Sequence, residues 1–539
     1  LIDIAYFPFI HKRMQADALL FVSGEKGTDF FYLIPTFLGQ FWYLWLLFII
    51  FIGAIWKIYD YSNSFKVFVP RSLKLHLGSL ALFIGVAALA FLGVRGGLQL
   101  KPLQLIHASN MTEVQNIPAL INTPFSLYST VTKEKLPEVQ YFTKEELNET
   151  DQGIHTPTDS VKMNNQNVVL IIVESFSKKY LGYFNDQAQT PFLDSLTNEG
   201  LIFTNGFANA TESIQGIPAV ISSIPSLMDE SFIFSPYSTN KITSIPSLLK
   251  EKGYSTSFFH GGNNGTMGFD LFSKLAGFDT YYGRNEYGND EDFDGKWGIW
   301  DEPFLQYMAD QLDATPQPFF TSVLTLNTHH PFKIPEKYND KFKQEGHPIY
   351  SCFQYTDYAL KLFFQEAKKS EWFGNTLFII TADHAAPNFE KVEISPLENY
   401  QIPILFYKPD GSLKGVNEKT ANQIDILPSL LHLLAYPEPF FSFGNDLFKE
   451  GANTFSVNYK SGIYQLIDSE FTYQFNGQEG VGLYNWKEDP FLHNSLDFDK
   501  PSVKQMEHQL KKTIQLFNHS LVNNKMVFDH IYTYQKPPI

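Results

Sequence analysis

The sequence predicts an α/β protein: N-terminal transmembrane helices, then a doubly wound, mostly parallel sheet domain, then a small C-terminal α+β subdomain. Three observations carry this reading. Two long stretches near the start are almost free of charge. From Asn167 onward, short β-branched runs alternate with helical segments, and the last ninety residues change to closely spaced strand-like pieces.

The membrane region is expected over residues 1–96. From Phe30 to Trp56 there is no charged residue, and the run Phe41-Trp42-Tyr43-Leu44-Trp45-Leu46-Leu47-Phe48 is dense enough to sit in lipid. Between Leu75 and Val94 only His76 titrates. Helices over 30–56 and 75–94 each supply the roughly 20 apolar residues needed to cross the hydrocarbon core. Buried core helices of a soluble protein are the alternative, and they rarely stay charge-free this long. Lys57, Lys66, Arg71 and Lys74 lie between the two stretches, against Arg95 and Lys101 beyond them. The excess of positive charge places that loop in the cytoplasm and everything after Arg95 outside. The chain opens on Leu1 rather than Met, so a longer protein with an N-terminal segment upstream is expected.

Residues 97–160 carry Pro102, Pro118, Pro124, Pro137 and Pro157 and read as a connector with short helical pieces. The sheet domain is expected over 161–450. Val168–Val173, Ser255–Phe259, Phe319–Leu326, Thr376–Thr381 and Ile404–Tyr407 read as strands, with helices over Thr190–Glu199, Ile245–Lys252 and Cys352–Lys369. The C-terminal subdomain, 451–539, shows strand-like pieces at 455–459, 462–468 and 470–475 and a helix around 503–517.

Charge and cysteine content exclude several functions. A formal net charge of −16 argues against nucleic acid as a partner, because its phosphates would be repelled. The single cysteine, Cys352, excludes a disulfide framework and a thiolate-rich zinc site.

The chemistry gathers where the strands end. Glu174-Ser175 follows the first, His260-Gly261-Gly262 the second, His329-His330 the third and Asp383-His384 the fourth. Ligands of open α/β sheets bind beyond the carboxyl ends of the strands, so these groups are directed to one edge. Glu174, Asp383 and His384 combine two oxygen donors with an imidazole, a set that suits Mn²⁺, Zn²⁺ or Mg²⁺. Thr211 follows a strand-like stretch, Leu201–Phe207, and precedes a helix from Glu212 toward Ser222. A hydroxyl there meets free N–H groups and the positive helix end, a seat for phosphate, and a metal would make it a nucleophile near neutral pH. Thr211 as a simple helix cap is the alternative, and Ser213 is the rival nucleophile. His260 and His329 are candidates for binding phosphate or protonating a leaving group. His330 is the less favoured neighbour. The acidic, aromatic stretch Glu286–Glu302, with Trp297 and Trp300, reads equally as a substrate loop and as a solvated insertion.

In order, Leu170–Ser175, the Thr211 segment, Phe259-His260-Gly261, Thr328-His329-His330-Pro331-Phe332 and Thr381-Ala382-Asp383-His384 resemble lipoteichoic acid synthase-like proteins of the sulfatase/alkaline phosphatase superfamily. Gln423–Leu431 resembles that superfamily's late helix motif. The resemblance spans about residues 160–450. It implies a catalytic domain of alkaline phosphatase/sulfatase type, with Glu174, Thr211, Asp383 and His384 holding one metal, manganese foremost. Thr211 would form a covalent phospho-enzyme, and His260 and His329 would contact substrate. It also implies further transmembrane helices upstream, a bacterial cell membrane and a catalytic domain on the extracytoplasmic side. The chain departs from the family at Met267 and Phe269, where lipoteichoic acid synthases carry a Trp and an Arg that help hold the glycerol phosphate head. No histidine follows His384 until His432, which argues against a second metal site.

The leading expectation is a metal-dependent transferase. It would move phosphoglycerol or phosphoethanolamine from a membrane phospholipid to an envelope glycan or glycolipid. A membrane-anchored phosphodiesterase or phosphatase would share the first half-reaction. Sulfatase activity is less favoured, because neither Cys352 nor Ser213 lies in a Cys/Ser-x-Pro-x-Arg context. A surface module that keeps the fold without the activity is the non-enzymatic reading.

Overall fold

A computed structural model describes residues 39–63 and 72–97, short stretches between 122 and 157, and 162–528 apart from 236, 238–239, 344–345, 390–392, 499–500 and 524. The chain divides into two compact units, Leu1–Thr132 and Lys133–Ile539. Residues 30–38 of the first expected membrane helix, Lys66 and Arg71 of the loop, and most of the expected connector lie outside the described residues.

In the first unit, α1 (Trp42–Asn63) and α2 (Leu73–Arg95) have 22 and 23 residues, lengths of about 33 and 35 Å at 1.5 Å per residue. Both are long and apolar enough to cross a bilayer. α1 continues past the expected end at Trp56, through Lys57 and Asp60 to Asn63. α2 begins where the Ser72 hydroxyl accepts the Leu75 amide and ends at Gly96 in the left-handed region. Among the described residues, none of α2 is buried.

The second unit is built on an eight-stranded sheet. Its strands lie among β1 (Ile154–His155), β2 (Asn167–Val173), β3 (Leu201–Phe207), β4 (Ser255–His260), β5 (Thr280–Tyr282), β6 (Phe319–Leu324), β7 (Thr376–Ala382), β8 (Ile404–Tyr407), β9 (Gly415–Asn422) and β10 (Phe440–Phe441). The spatial order is β5-β4-β6-β2-β7-β8-β3-β9, while β1 and β10 pair separately. Every pairing in the large sheet is parallel except the two made by β8. Mostly parallel is therefore right, with β8 as one reversed strand inside the sheet. β2 and β7 are buried along their whole length, which is why both read as unbroken apolar runs.

The helices are α3 (Pro191–Glu199), α4 (Ser213–Ser222), α5 (Ile245–Lys250), α6 (Phe269–Ala276), α7 (Arg284–Tyr287), α8 (Asp301–Asp313), α9 (Ile349–Ala367) and α10 (Ile426–Leu433). After them β11 (Ser456–Lys460), β12 (Ile463–Ile467), β13 (Phe471–Phe475) and β14 (Gly480–Asn485) form an antiparallel meander, followed by α11 (Pro501–Val522). Val457, Leu466, Tyr473, Leu510 and Phe517 of this C-terminal part are buried in the same apolar core as β2 and β7. The meander is thus packed on the sheet domain rather than appended as a separate body.

Candidate active site

The strand order sets the site. β2 lies between β6 and β7, so Val173 pairs with Ala382 and the next residues of each strand, Glu174 and Asp383, leave the sheet side by side. On the other flank, β6 lies between β2 and β4, and His260 ends β4 opposite Leu324. Glu174, Asp383 and His384 thereby converge, with one donor atom of each within 4.8 Å of the others, and all three are buried.

The orientation of each donor is fixed locally. Asp383 Oδ1 accepts the amides of Ser175 and His384, both at 2.8 Å. Its Oδ2 is buried with no hydrogen-bond partner among the described residues. His384 Nδ1 donates to the Ala385 carbonyl at 2.9 Å, which leaves Nε2 facing the carboxylates. That Nε2 lies 3.6 Å from Glu174 Oε1 and 3.6 Å from Asp383 Oδ2. These gaps are too long for hydrogen bonds, but two donors about 2.1 Å from a tetrahedral ion stand about 3.4 Å apart. Glu174 is held by the Ser175 hydroxyl at 2.7 Å on Oε1 and by the Ser213 hydroxyl at 3.2 Å on Oε2. Its backbone amide donates to Thr325 Oγ1 at 3.0 Å, and its carbonyl accepts the Thr328 hydroxyl.

The electrostatics favour a cation. Burial, reinforced by the Glu174 charge, pushes the Asp383 carboxyl well above the usual range. Burial alone would raise Glu174 too, yet the His384 imidazole beside it holds it well below that range. Burial would lower His384, but the charges of Asp383 and Glu174 overcome it and raise it. Two buried carboxylates with an orphaned oxygen and one imidazole are costly as a bare set. A divalent ion satisfies all three at once, so these residues fit a metal of the Mn²⁺, Zn²⁺ or Mg²⁺ kind.

Thr211 is half-buried in the turn before α4. The N-cap of that helix is Glu212, so Thr211 is not the cap, and Ser213 is the first helical residue. It is Ser213 whose hydroxyl is placed against Glu174. The turn reaches the site although β3, which feeds it, is separated from β7 by β8. Two contacts bring it there. Gly216 packs directly on the Asp383 carbonyl. Gln423, just before α10, accepts the Asn209 amide at 2.8 Å and donates to the carbonyls of Ala382 and Asp383, both at 2.7 Å.

His260 is buried at the end of β4, its Nδ1 3.4 Å from the Leu324 carbonyl. His329 is half-buried, its Nδ1 donating to the His330 carbonyl at 3.0 Å. At the departure from the family pattern, Phe269 is buried with its ring set edge-on to His260 at 5.4 Å. Met267 adopts φ 49° in the loop before it. Both offer only apolar surface or a thioether on that side. Cys352 is buried in α9, and burial pushes its thiol up, out of the thiolate range.

Ser175, Thr325, Thr328 and Gln423 were not anticipated as site residues. The first three lie within four residues of a candidate ligand or histidine, a signal available from position alone. Gln423 stands in the late helix motif, but its role needs the fold.

The Sulfatase family model matches residues 166–436, half of the chain, and the chain belongs to that family. Within it, the chain is similar to lipoteichoic acid synthases. It is 28% identical over 309 residues to lipoteichoic acid synthase 1 of Bacillus subtilis (strain 168), covering 53% of this chain and 48% of that one. It is 26% identical over 381 residues to the lipoteichoic acid synthase of Staphylococcus saprophyticus, covering 66% and 58%. The chain spans about half the length of the curated relatives it matches. Among solved structures, an alkaline phosphatase superfamily protein from Vibrio parahaemolyticus matches with a TM-score of 0.60 at 26% identity, over 70% of this chain and 91% of that one. The lipoteichoic acid synthase LtaP from Listeria monocytogenes shares the fold, with a TM-score of 0.59 at 20% identity over 70% and 97%.

Proposed function

We propose that the protein is a metal-dependent transferase. It moves a phospho-alcohol group, phosphoglycerol or phosphoethanolamine, from a membrane phospholipid to an envelope glycan or glycolipid. The observation that carries this reading is the orphaned, buried Asp383 Oδ2 facing His384 Nε2 and Glu174 at the foot of the turn that holds Thr211. Similarity to lipoteichoic acid synthases supports the choice of phosphodiester chemistry. The apolar helices α1 and α2 support a lipid donor met at the bilayer surface, and the excess of Lys and Arg between them supports a catalytic unit on the extracytoplasmic side.

In the first step the Thr211 oxygen, its proton already lost to solvent, attacks the donor phosphorus, and the bond from phosphorus to the diacylglycerol oxygen breaks. The leaving oxygen takes a proton from His260 or His329. In the second step the acceptor hydroxyl, relieved of its proton by the same group, attacks the phospho-threonine and releases Thr211. Glu174, Asp383, His384 and Thr211 would hold the metal, manganese foremost, which supplies Lewis acidity to the phosphoryl oxygens and lowers the hydroxyl's pKa. Ser213, already bonded to Glu174, positions that carboxylate in this reading.

The test is release of fluorescent diacylglycerol by the full chain in detergent, from phosphatidylglycerol and phosphatidylethanolamine with Mn²⁺. Release from one lipid, lost by about a thousandfold or more in Thr211→Ala and retained in part in Ser213→Ala, is expected. Loss in Ser213→Ala with Thr211→Ala unaffected would transfer the nucleophile's role to Ser213. Cleavage of a simple phosphodiester but of neither lipid would replace the transferase by a hydrolase.

A further inference from the structure

The stretch from Phe293 to Asp301 is folded against both candidate substrate histidines. Gly262, two residues beyond His260, forms a β-bridge with Gly298, and Phe293 forms another with Ile299. Gly298 lies so close that a Cβ there would come within 2.3 Å of the Gly261 carbonyl oxygen. At the loop's far end, the Asp301 amide donates to Asn327 Oδ1 at 2.6 Å, and Asp301 Oδ1 accepts the Leu326 amide at 2.8 Å. The loop is therefore fastened to the segments that carry His260 and His329, which leaves Trp297 little freedom to move between them.

Trp297 makes two contacts with one small target. Its ring lies over that of His329, with centroids 4.0 Å apart at 53°. Its Nε1–H donates to the His330 carbonyl, the same oxygen that accepts His329 Nδ1–H. A carbonyl oxygen has two lone pairs, and here the indole occupies one and the imidazole the other. The indole holds the acceptor that fixes the imidazole tautomer, and its ring, tilted at 53° against the imidazole, restricts the imidazole's rotation. The remaining nitrogen, Nε2, is left for the substrate. Asp294 Oδ1 braces the loop by accepting the amides of Lys296, Trp297 and Gly298 at 2.7, 2.8 and 3.1 Å. Trp297 and His329 wall a small cleft with Lys296 and Lys333 on its lining.

We propose that Trp297 is the positioning residue for His329, setting its ring plane and its Nδ1–H so that Nε2 is the nitrogen that takes a proton from the acceptor hydroxyl and returns it to the leaving group. The kinetic part rests on the phosphoester reading above; the tautomer does not. A partner bonded directly to a metal-bound histidine is worth about 10–100-fold when removed, and Trp297, which bonds the carbonyl that is the imidazole's own partner, is expected toward the lower end of that range.

The experiment uses the full chain in detergent, labelled with ¹⁵N-histidine, with the His329 resonances assigned by their loss in His329→Gln. In the parent, the shifts report the Nδ1–H tautomer. Trp297→Phe keeps a ring over His329 but loses the N–H, and Trp297→Leu loses both. A mixture of tautomers in both variants is expected, with melting temperatures recorded to confirm folding. The second readout is a double-mutant cycle on a chromogenic phosphodiester with Mn²⁺. Trp297→Leu is expected to lower kcat/KM about 10–100-fold in the parent and by less than about threefold in His329→Ala, with Trp297→Phe between. An unchanged His329 tautomer in Trp297→Leu, or an equal kinetic loss in both backgrounds, overturns the proposal. A parent that cleaves no phosphodiester would defeat the functional reading alone, because the tautomer measurement still decides the role of Trp297.

Discussion

Gly216 and the Asp383 carbonyl are in such close contact that a Cβ built on the glycine would lie 2.0 Å from that oxygen. This contact is the point at which α4, fed by β3, meets the end of β7. It lets a turn that starts two strands away bring Ser213 onto Glu174, with Thr211 two residues before it.

Gly216→Ala is therefore predicted to act against helix propensity. At an unhindered helical position alanine would gain about 1 kcal/mol over glycine. Here the added methyl must push α4 off a backbone carbonyl, which costs about 1–3 kcal/mol. If Thr211 is the nucleophile proposed above, a displacement of about 1 Å there lowers activity by about a hundredfold. Diacylglycerol release and the melting temperature check this. A variant with full activity and a raised melting temperature would mean that the contact is not a constraint.

Gln423 is predicted to matter as much as a ligand. Gln423→Leu keeps the volume but leaves the Asn209 amide and the carbonyls of Ala382 and Asp383 without their partner. Each unpaired buried group costs about 1–3 kcal/mol. The melting temperature should fall, and Mn²⁺ affinity, followed by the loss of the free-ion electron paramagnetic resonance signal, should weaken about 10–100-fold. Unaltered affinity would show that the Asp383 backbone is held by other means.

Asp357 gives a pH prediction away from the candidate metal ligands. It lies on α9 and accepts the amides of Phe192 and Leu193, at 3.2 and 2.8 Å, at the start of α3. Burial pushes its carboxyl up to about 7, despite these two bonds. In the unfolded chain the group titrates near 3.9. The fold therefore holds this proton more tightly, and the group's contribution to stability falls as pH rises from about 4 to about 7. The slope is at most about 1.4 kcal/mol per pH unit. Asp357→Asn retains an acceptor for one amide and should flatten the dependence of melting temperature on pH in that window. An equally steep dependence in the variant would place the titrating group elsewhere.

Much of the sheet was legible because its central strands are buried on both faces. β2 and β7 each begin one residue before the apolar run that marks them or coincide with it, and β3 spans Leu201–Phe207 as read. β9 was missed because it is an edge strand whose first half, Gly415–Lys419, is mostly polar and exposed or half-exposed, with no apolar run to mark it. β14, rich in glycine, escaped for a similar reason. The stretch Glu286–Glu302 could not be resolved between a substrate loop and a solvated insertion, since its acidic part is exposed while Trp297 turns inward onto His329.

By itself, the sequence determined which residues end the buried strands, and so which carboxylates and imidazoles could share an edge. It also determined that two helices are apolar enough for a bilayer. Those properties are local: burial on both faces demands continuous apolar runs, and a lipid span demands length without charge. Tertiary structure alone decided that β8 runs backward between β7 and β3, that Ser213 rather than Thr211 bonds Glu174, and that Gln423 and Trp297 reach across to the site. These depend on strand order and on packing between residues up to 214 positions apart, where close contact is set by shape and hydrogen-bond pairing rather than by any pattern along the chain.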